Sequence, residues 1–236
     1  MLPGVSDTVL TRRRVLAWLG GLGLAALLPG CADEGDSASP TTTAVAPTTT
    51  TATTVDCVLS PEQTEGPYYV DLDLVRRDIT EGRPGAPLDL TVKVVDGQSC
   101  EPIADAAVDI WHCDAEGVYS GVQGDDGTFL RGVQMADAGG EVVFRTIFPG
   151  WYTGRAVHVH VKVHVGGAET YTGQLYFDAA VTDEVYGTEP YNARSGPDTS
   201  NEADGIFGQG GDQTVVSVSP DGDGYRGAVT LGVLRT

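Results

Sequence analysis

From Val157 to Val165 the chain alternates without a break, with valine at every odd position and His158, His160, Lys162 and His164 at the even ones. Successive side chains of an extended strand point to opposite faces, so this pattern calls for a β-strand. One face of it is apolar and suited to a core. The other gathers three of the four histidines in the whole chain. Same-side neighbours on a strand stand about 6.5–7 Å apart, close enough for two imidazoles to converge on one ion. Zinc, copper and iron all accept imidazole, so the strand alone leaves the metal open. His164 lies about 13 Å along a regular strand from His160 and reads as a surface or supporting residue.

The other regular signals are of the same kind. Leu88 to Val95 and Ala106 to Trp111 alternate apolar and polar residues, and further short runs lie at 141–147, 172–177, 215–218 and 227–234. Clusters such as Gly124-Asp125-Asp126-Gly127 and Asp221-Gly222-Asp223-Gly224 separate them, and the 32 glycines and 13 prolines supply many turns. Seven or more short strands at this spacing predict an all-β fold, a β-sandwich of two mainly antiparallel sheets with long loops. Helix is expected only as single turns at Thr182–Tyr186 and Leu72–Arg77. The segment 187–213, rich in Gly, Asn, Asp and Ser, reads as a long loop over one end of the sandwich.

The first 56 residues do not belong to that pattern. Arg12-Arg13-Arg14 precede the apolar run Val15–Leu28, too short to span a bilayer as a helix, and Leu28-Pro29-Gly30-Cys31 is similar to a lipobox. Residues 1–30 are therefore expected to be a twin-arginine, lipoprotein-type export signal, and Cys31 a lipid anchor. Residues 31–56, dominated by threonine and without an aromatic side chain, are expected to be a disordered tether, and 57–236 the folded domain. The expected location is outside the cell membrane, tethered to its outer face. With 14 Lys and Arg against 33 Asp and Glu, for a net charge of −19, nucleic acid is not an expected partner. Export makes a disulfide plausible, with Cys57–Cys100 favoured and Cys113, beside the apolar strand end Ile110-Trp111, read as a buried thiol.

Four motifs then occur in one order. They are Glu65-Gly66-Pro67-Tyr68-Tyr69; Trp111 with Asp114, Gly117 and Tyr119; Pro149-Gly150-Trp151-Tyr152; and Arg155 followed by His158-Val159-His160, with Gln174-Leu175-Tyr176-Phe177 beyond. Together they resemble the intradiol ring-cleavage dioxygenases, the family of protocatechuate 3,4-dioxygenase and catechol 1,2-dioxygenase. The resemblance implies a mononuclear non-haem Fe(III) held by Tyr119, Tyr152, His158 and His160. The donor chemistry agrees, because two phenolates are hard anionic ligands that favour the ferric ion.

The resemblance also implies that Tyr152 leaves the metal when substrate chelates it and takes a proton. It implies that Arg155 stabilises negative charge developing on the ring, and that Gln174 lines the same pocket. The implied reaction inserts both atoms of O2 between the two hydroxyl-bearing carbons of a catechol, giving a cis,cis-muconate-type diacid. A homodimer is one arrangement the family uses. The alternative reading is a non-catalytic, transthyretin-like β-sandwich binding module whose tyrosines are packing residues.

Overall fold

A computed structural model describes residues 58–235, apart from 123 and 125. The expected export signal, the lipid anchor at Cys31, the tether and Cys57 lie outside the described residues. Cys100 is disulfide-bonded and Cys113 is a free, buried thiol, in line with the expected division of roles.

Eight strands carry the fold: β1 Pro87–Asp96, β2 Ala107–Trp111, β3 Arg131–Met135, β4 Glu141–Ile147, β5 His158–Val165, β6 Ala168–Phe177, β7 Val215–Asp221 and β8 Gly224–Val233. The fold is mainly β, as expected, but the two-sheet arrangement needs correcting. The strands form one mixed sheet in the order β3-β2-β5-β6-β7-β8-β1-β4. An antiparallel half, β3-β2-β5-β6, is joined to a mixed half, β7-β8-β1-β4, by a short parallel contact in which Tyr176 and Phe177 of β6 pair with Val215 and Val216 of β7. A second parallel pair, β1 with β8, lies inside the second half. Parallel neighbours need a long crossover, and the connection from β6 to β7 holds the only α-helix among the described residues, α1 Ala179–Tyr186. Asp178 caps that helix by accepting from the Ala180 backbone N–H at 2.8 Å.

The sheet curls until its two edge strands nearly meet. The Gln134 side chain on β3 donates to the Val143 carbonyl on β4. Between these edges runs the segment 74–79, where a helical turn was expected. Its backbone is committed elsewhere: Arg76 N donates to Val133 O, Val133 N to Leu74 O, Ile79 N to Arg145 O and Arg145 N to Arg77 O. An extended segment that satisfies two open edges outweighs the weak helical preference of six residues.

One core fills the interior. The alternating residues Leu88, Leu90, Val92 and Val94 of β1 meet Val157, Val159, Val161 and Val163 from β5 and its approach. The opposite face of β5 is buried as well: His158, His160 and Lys162 are all nearly inaccessible, because residues 60–69 lie across them. Period-2 alternation identified the strand, but a polar row buried beneath a covering segment is already a different object from a solvated face.

Candidate metal centre

The histidine pair comes from a single strand, while the two tyrosines come from separate loops that have to meet. Glycines make that meeting possible. Gly117 has φ +85°, and a side chain on it would strike the Trp151 carbonyl, 2.3 Å from where its Cβ would be. A Cβ on Gly150 would lie 2.0 Å from the Asp114 carbonyl. The loop after β2 and the loop after β4 therefore touch backbone to backbone, and this brings Tyr119 and Tyr152 over the start of β5.

All four donor atoms converge. The Nε2 atoms of His158 and His160 lie 3.1 Å apart, the Tyr152 hydroxyl is 3.2 Å from His158 Nε2, and the Tyr119 hydroxyl is 3.5 Å from it. Two ligands about 2.0–2.1 Å from a common ion, at angles between about 90° and 109°, are separated by about 2.8–3.4 Å, a range that holds the His158–His160 and Tyr152–His158 spacings, while that of Tyr119 is slightly longer. The His158 Nδ1–H donates to the Ala156 carbonyl at 2.7 Å, which turns the Nε2 lone pair toward the other three donors.

The electrostatics fit a cation at this point. Burial, reinforced by Arg155, pushes the His158 imidazole down to about 3, and burial together with His158 pushes His160 well below its ordinary range. Both rings are thus neutral and keep a free lone pair. Burial likewise raises Tyr119 and Tyr152 above the usual phenol range. Only a highly charged ion at the convergence point would favour their phenolates. Among the described residues no group of three His, Cys, Asp or Glu side chains forms a metal cluster. The tyrosines are what complete the donor set. His164 is not part of it; it lies four residues along β5 from His160, about 13 Å away on a regular strand, and stays half-buried near the strand end.

An aromatic stack backs the histidines. The Trp111 indole lies parallel to His160, with centroids 4.9 Å apart and planes within 6°. Tyr69 packs on Trp111 and Tyr68 on Tyr119. A Cβ on Gly66, where φ is +74°, would come within 3.2 Å of the His160 ring, so the covering segment passes directly above a candidate ligand. Lys162 secures that segment through Glu65 at 2.5 Å and also pairs with Glu169 at 2.8 Å. His112 is a packing residue, its ring bonded to the Cys113 carbonyl and the Thr146 hydroxyl.

Arg155 and Gln174 meet beside this centre. Arg155 Nη2 donates to Gln174 Oε1, Nη1 lies 3.5 Å from the Tyr152 hydroxyl, and the Tyr176 hydroxyl also donates to Gln174 Oε1, at 3.0 Å. The sequence reading missed the residue that holds Arg155 in place. Asp204, 3% exposed, accepts from Arg155 Nε at 3.0 Å and from the backbone N–H groups of Ala156 and Ile206. Burial alone would raise its carboxyl, but these backbone donors and Arg155 more than offset that and leave it below the ordinary carboxylate range. Its segment also supplies Asp198, which accepts from Gly154 N, and Ser195, whose carbonyl accepts from the Trp151 indole. The long polar loop therefore braces the 151–156 turn. The one available signal was a run rich in Asp and Gly, too common to single out Asp204.

A second buried carboxyl lies farther along β2. Burial raises Asp109 to about 7, against a hydrogen bond from Tyr69 that lowers it. A carboxyl whose folded value is raised stabilises the fold at low pH and loses that contribution as pH rises from its unfolded value near 3.9. In a series of thermal melts, the loss in midpoint between about pH 4 and about pH 7 should be smaller in Asp109→Asn than in wild type. Parallel profiles for the two proteins would contradict the assignment.

The model of the dioxygenase family matches residues 60–189. Chlorocatechol 1,2-dioxygenase of Cupriavidus pinatubonensis (strain JMP 134 / LMG 1197) is 34% identical over 147 residues, covering 51% of this chain and 56% of the relative. The chain thus spans just over half the length of that relative. Catechol 1,2-dioxygenase 1 of Acinetobacter lwoffii is 30% identical over 144 residues, 49% of this chain and 45% of the relative. Among solved structures, an intradiol ring-cleavage dioxygenase from Tetranychus urticae superposes with a TM-score of 0.72 at 35% identity, covering 76% of this chain and 98% of that one. The dioxygenase domain of a dioxygenase carbohydrate-binding protein fusion from Streptomyces sp. SirexAA-E gives a TM-score of 0.59 at 29% identity, covering 75% and 99%. A family match over more than half of the sequence, and a structural relative matched over nearly its whole length, place this chain in the intradiol ring-cleavage dioxygenase family.

Proposed function

We propose that the protein cleaves a catechol-type ring between its two hydroxyl-bearing carbons, incorporating both atoms of O2 to give a cis,cis-muconate-type diacid. The observation that carries this reading is the convergence of two imidazole nitrogens and two phenol oxygens at His158 Nε2. Tyr119, Tyr152, His158 and His160 would hold the non-haem Fe(III) that this family uses. When bound, that ion activates a catecholate toward O2 by withdrawing electron density from it.

The chain's own residues have separable tasks. His158 and His160 bind as neutral bases, with His158 oriented by the Ala156 carbonyl. Tyr152 is the more accessible phenol, half-buried where Tyr119 is 3% exposed. It is therefore the oxygen suited to take up a proton from an incoming catechol hydroxyl and become a neutral phenol. Arg155, held by Asp204 and Gln174, presents a fixed positive charge beside Tyr152, where negative charge on a ring would be stabilised. Trp111, Tyr68 and Tyr69 enclose the centre with apolar surface and limit the access of water.

The visible absorption spectrum of the iron-supplemented protein, recorded before and after anaerobic addition of catechol, tests the reading. A broad tyrosinate-to-Fe(III) band that shifts on catechol binding is expected. A folded, iron-containing protein without such a band would overturn it.

A further inference from the structure

Tyr119 belongs to the loop between β2 and β3. Gly117 and Gly121 flank the tyrosine, both at positive φ, +85° and +71°. On its N-terminal side Asp114 holds the turn, its Oδ1 accepting from the backbone N–H groups of Glu116 and Val118 at 3.0 Å each. On the C-terminal side one side chain does the corresponding work. Arg131, at the start of β3, is 3% exposed and turns its guanidinium onto Ser120, the residue after Tyr119. Nε and Nη2 both donate to the Ser120 carbonyl, at 3.1 and 2.6 Å, and Nε also reaches Ser120 Oγ at 3.1 Å. Ser120 Oγ in turn donates to the Phe129 carbonyl at 2.6 Å.

The base of this clamp is itself held firmly. Leu130 adopts φ +57°, uncommon for a residue with a side chain, and is completely buried. Its N–H donates to Ile79 O at 2.7 Å, its carbonyl accepts from His112 N, and Arg76 donates to the carbonyls of Arg131 and Thr128. A left-handed residue persists only where its surroundings over-determine it, and here it immediately precedes Arg131. Arg131 and His160 are both cross-strand partners of Trp111, so the clamp and a candidate ligand share one row of the sheet.

We propose that Arg131 is the positioning residue for Tyr119. Its planar fork grips the Ser120 carbonyl and fixes the backbone between two left-handed glycines, so that the phenol is aimed at the convergence point. A lysine would retain the charge but not the two-pronged geometry. This inference rests on the reading of Tyr119 as a metal ligand, and its test keeps the two claims apart.

The iron-loaded full chain would be compared as wild type, Arg131→Lys, Arg131→Gln and Tyr119→Phe. Three readouts apply: the visible tyrosinate band, the rate of iron loss to a chelator, and folding by circular dichroism. Tyr119→Phe should weaken or shift the band; an unchanged band there would remove the ligand assignment and this inference with it. Given that change, Arg131→Lys should move the band in the same direction and speed iron loss at least about tenfold, the lower end for residues that orient metal ligands. A folded Arg131→Lys protein with the wild-type band and wild-type iron retention would overturn the proposal. Should Arg131→Lys fail to fold, Arg131→Gln decides, since it leaves no charge in the buried site and no two-pronged donor for the Ser120 carbonyl. A band displaced in the same direction supports the clamp, and an unchanged one overturns it.

Discussion

His158→Ala is expected to abolish stoichiometric iron binding and ring cleavage together, while His164→Ala leaves both near wild type. His158 Nε2 is the atom within 3.5 Å of the other three donors, so its removal takes away the point they share. Residues that merely orient a ligand cost about 10–100-fold in metal affinity or activity. Loss of the ligand itself should therefore exceed about 100-fold. His164 has the same chemistry on the same strand but lies four residues, about 13 Å, beyond His160, which makes it a control for histidine content and strand stability. Iron per chain after dialysis against a chelator, with a ring-cleavage assay on the same samples, gives the result. Full iron content in His158→Ala would show that the four side chains converge for some other reason.

Asp204→Asn should produce the second largest effect, in a residue remote in sequence from every motif. The amide keeps one acceptor oxygen, so it can serve only one of the Ala156 and Ile206 N–H groups, and it removes the charge facing Arg155, whose side chain is only 16% exposed. Breaking a buried ion pair by removing one partner costs about 3–5 kcal/mol, and the residual exposure of Arg155 places this case near about 3 kcal/mol. Arg155 would also lose its anchor beside Tyr152 and Gln174, and misplacement of a catalytic group by about 1 Å can cost about 100-fold in rate. The expected outcome is a fall of that order in kcat/KM with iron content retained, since Asp204 does not touch the four donors.

The pH dependence has a definite sign. The Asp204 carboxyl lies below its ordinary range in the folded protein, so its contribution is complete above about pH 3.9 and fades as pH falls through the depressed folded value. Wild type should therefore lose more stability than Asp204→Asn on acidification. Denaturant melts at two pH values, set beside steady-state kinetics, would check both parts.

The legibility of this protein in its sequence was uneven for identifiable reasons. Strand β4 is bounded as its alternation indicates, and β5 starts at His158, one residue after the alternation begins. Strand β3 is hidden because the only apolar residues of Arg131-Gly132-Val133-Gln134-Met135 that alternate, Val133 and Met135, form too short a row to mark a strand; it is a strand because β2 pairs with it and Leu74 and Arg76 bond to its other edge. The segment 72–77 looked helical for the complementary reason, since local preference says nothing about two sheet edges waiting to be satisfied. The division into two sheets failed at Tyr176–Phe177 and Val215–Val216, a two-residue pairing across a connection of nearly forty residues.

By itself the sequence determined the strand character of 158–165, which histidines share a face, the donor types available, and the family whose motifs occur in that order. Those properties depend on side-chain direction along an extended backbone and on residue chemistry, both of which are local. Tertiary structure alone decided that the polar face is buried, that Tyr119 and Tyr152 reach His158, that Asp204 holds Arg155, and that Arg131 grips Ser120. Each of these depends on a contact between different segments, set by where glycines let backbones touch and by which hydrogen-bonding groups the closing sheet left to be paired.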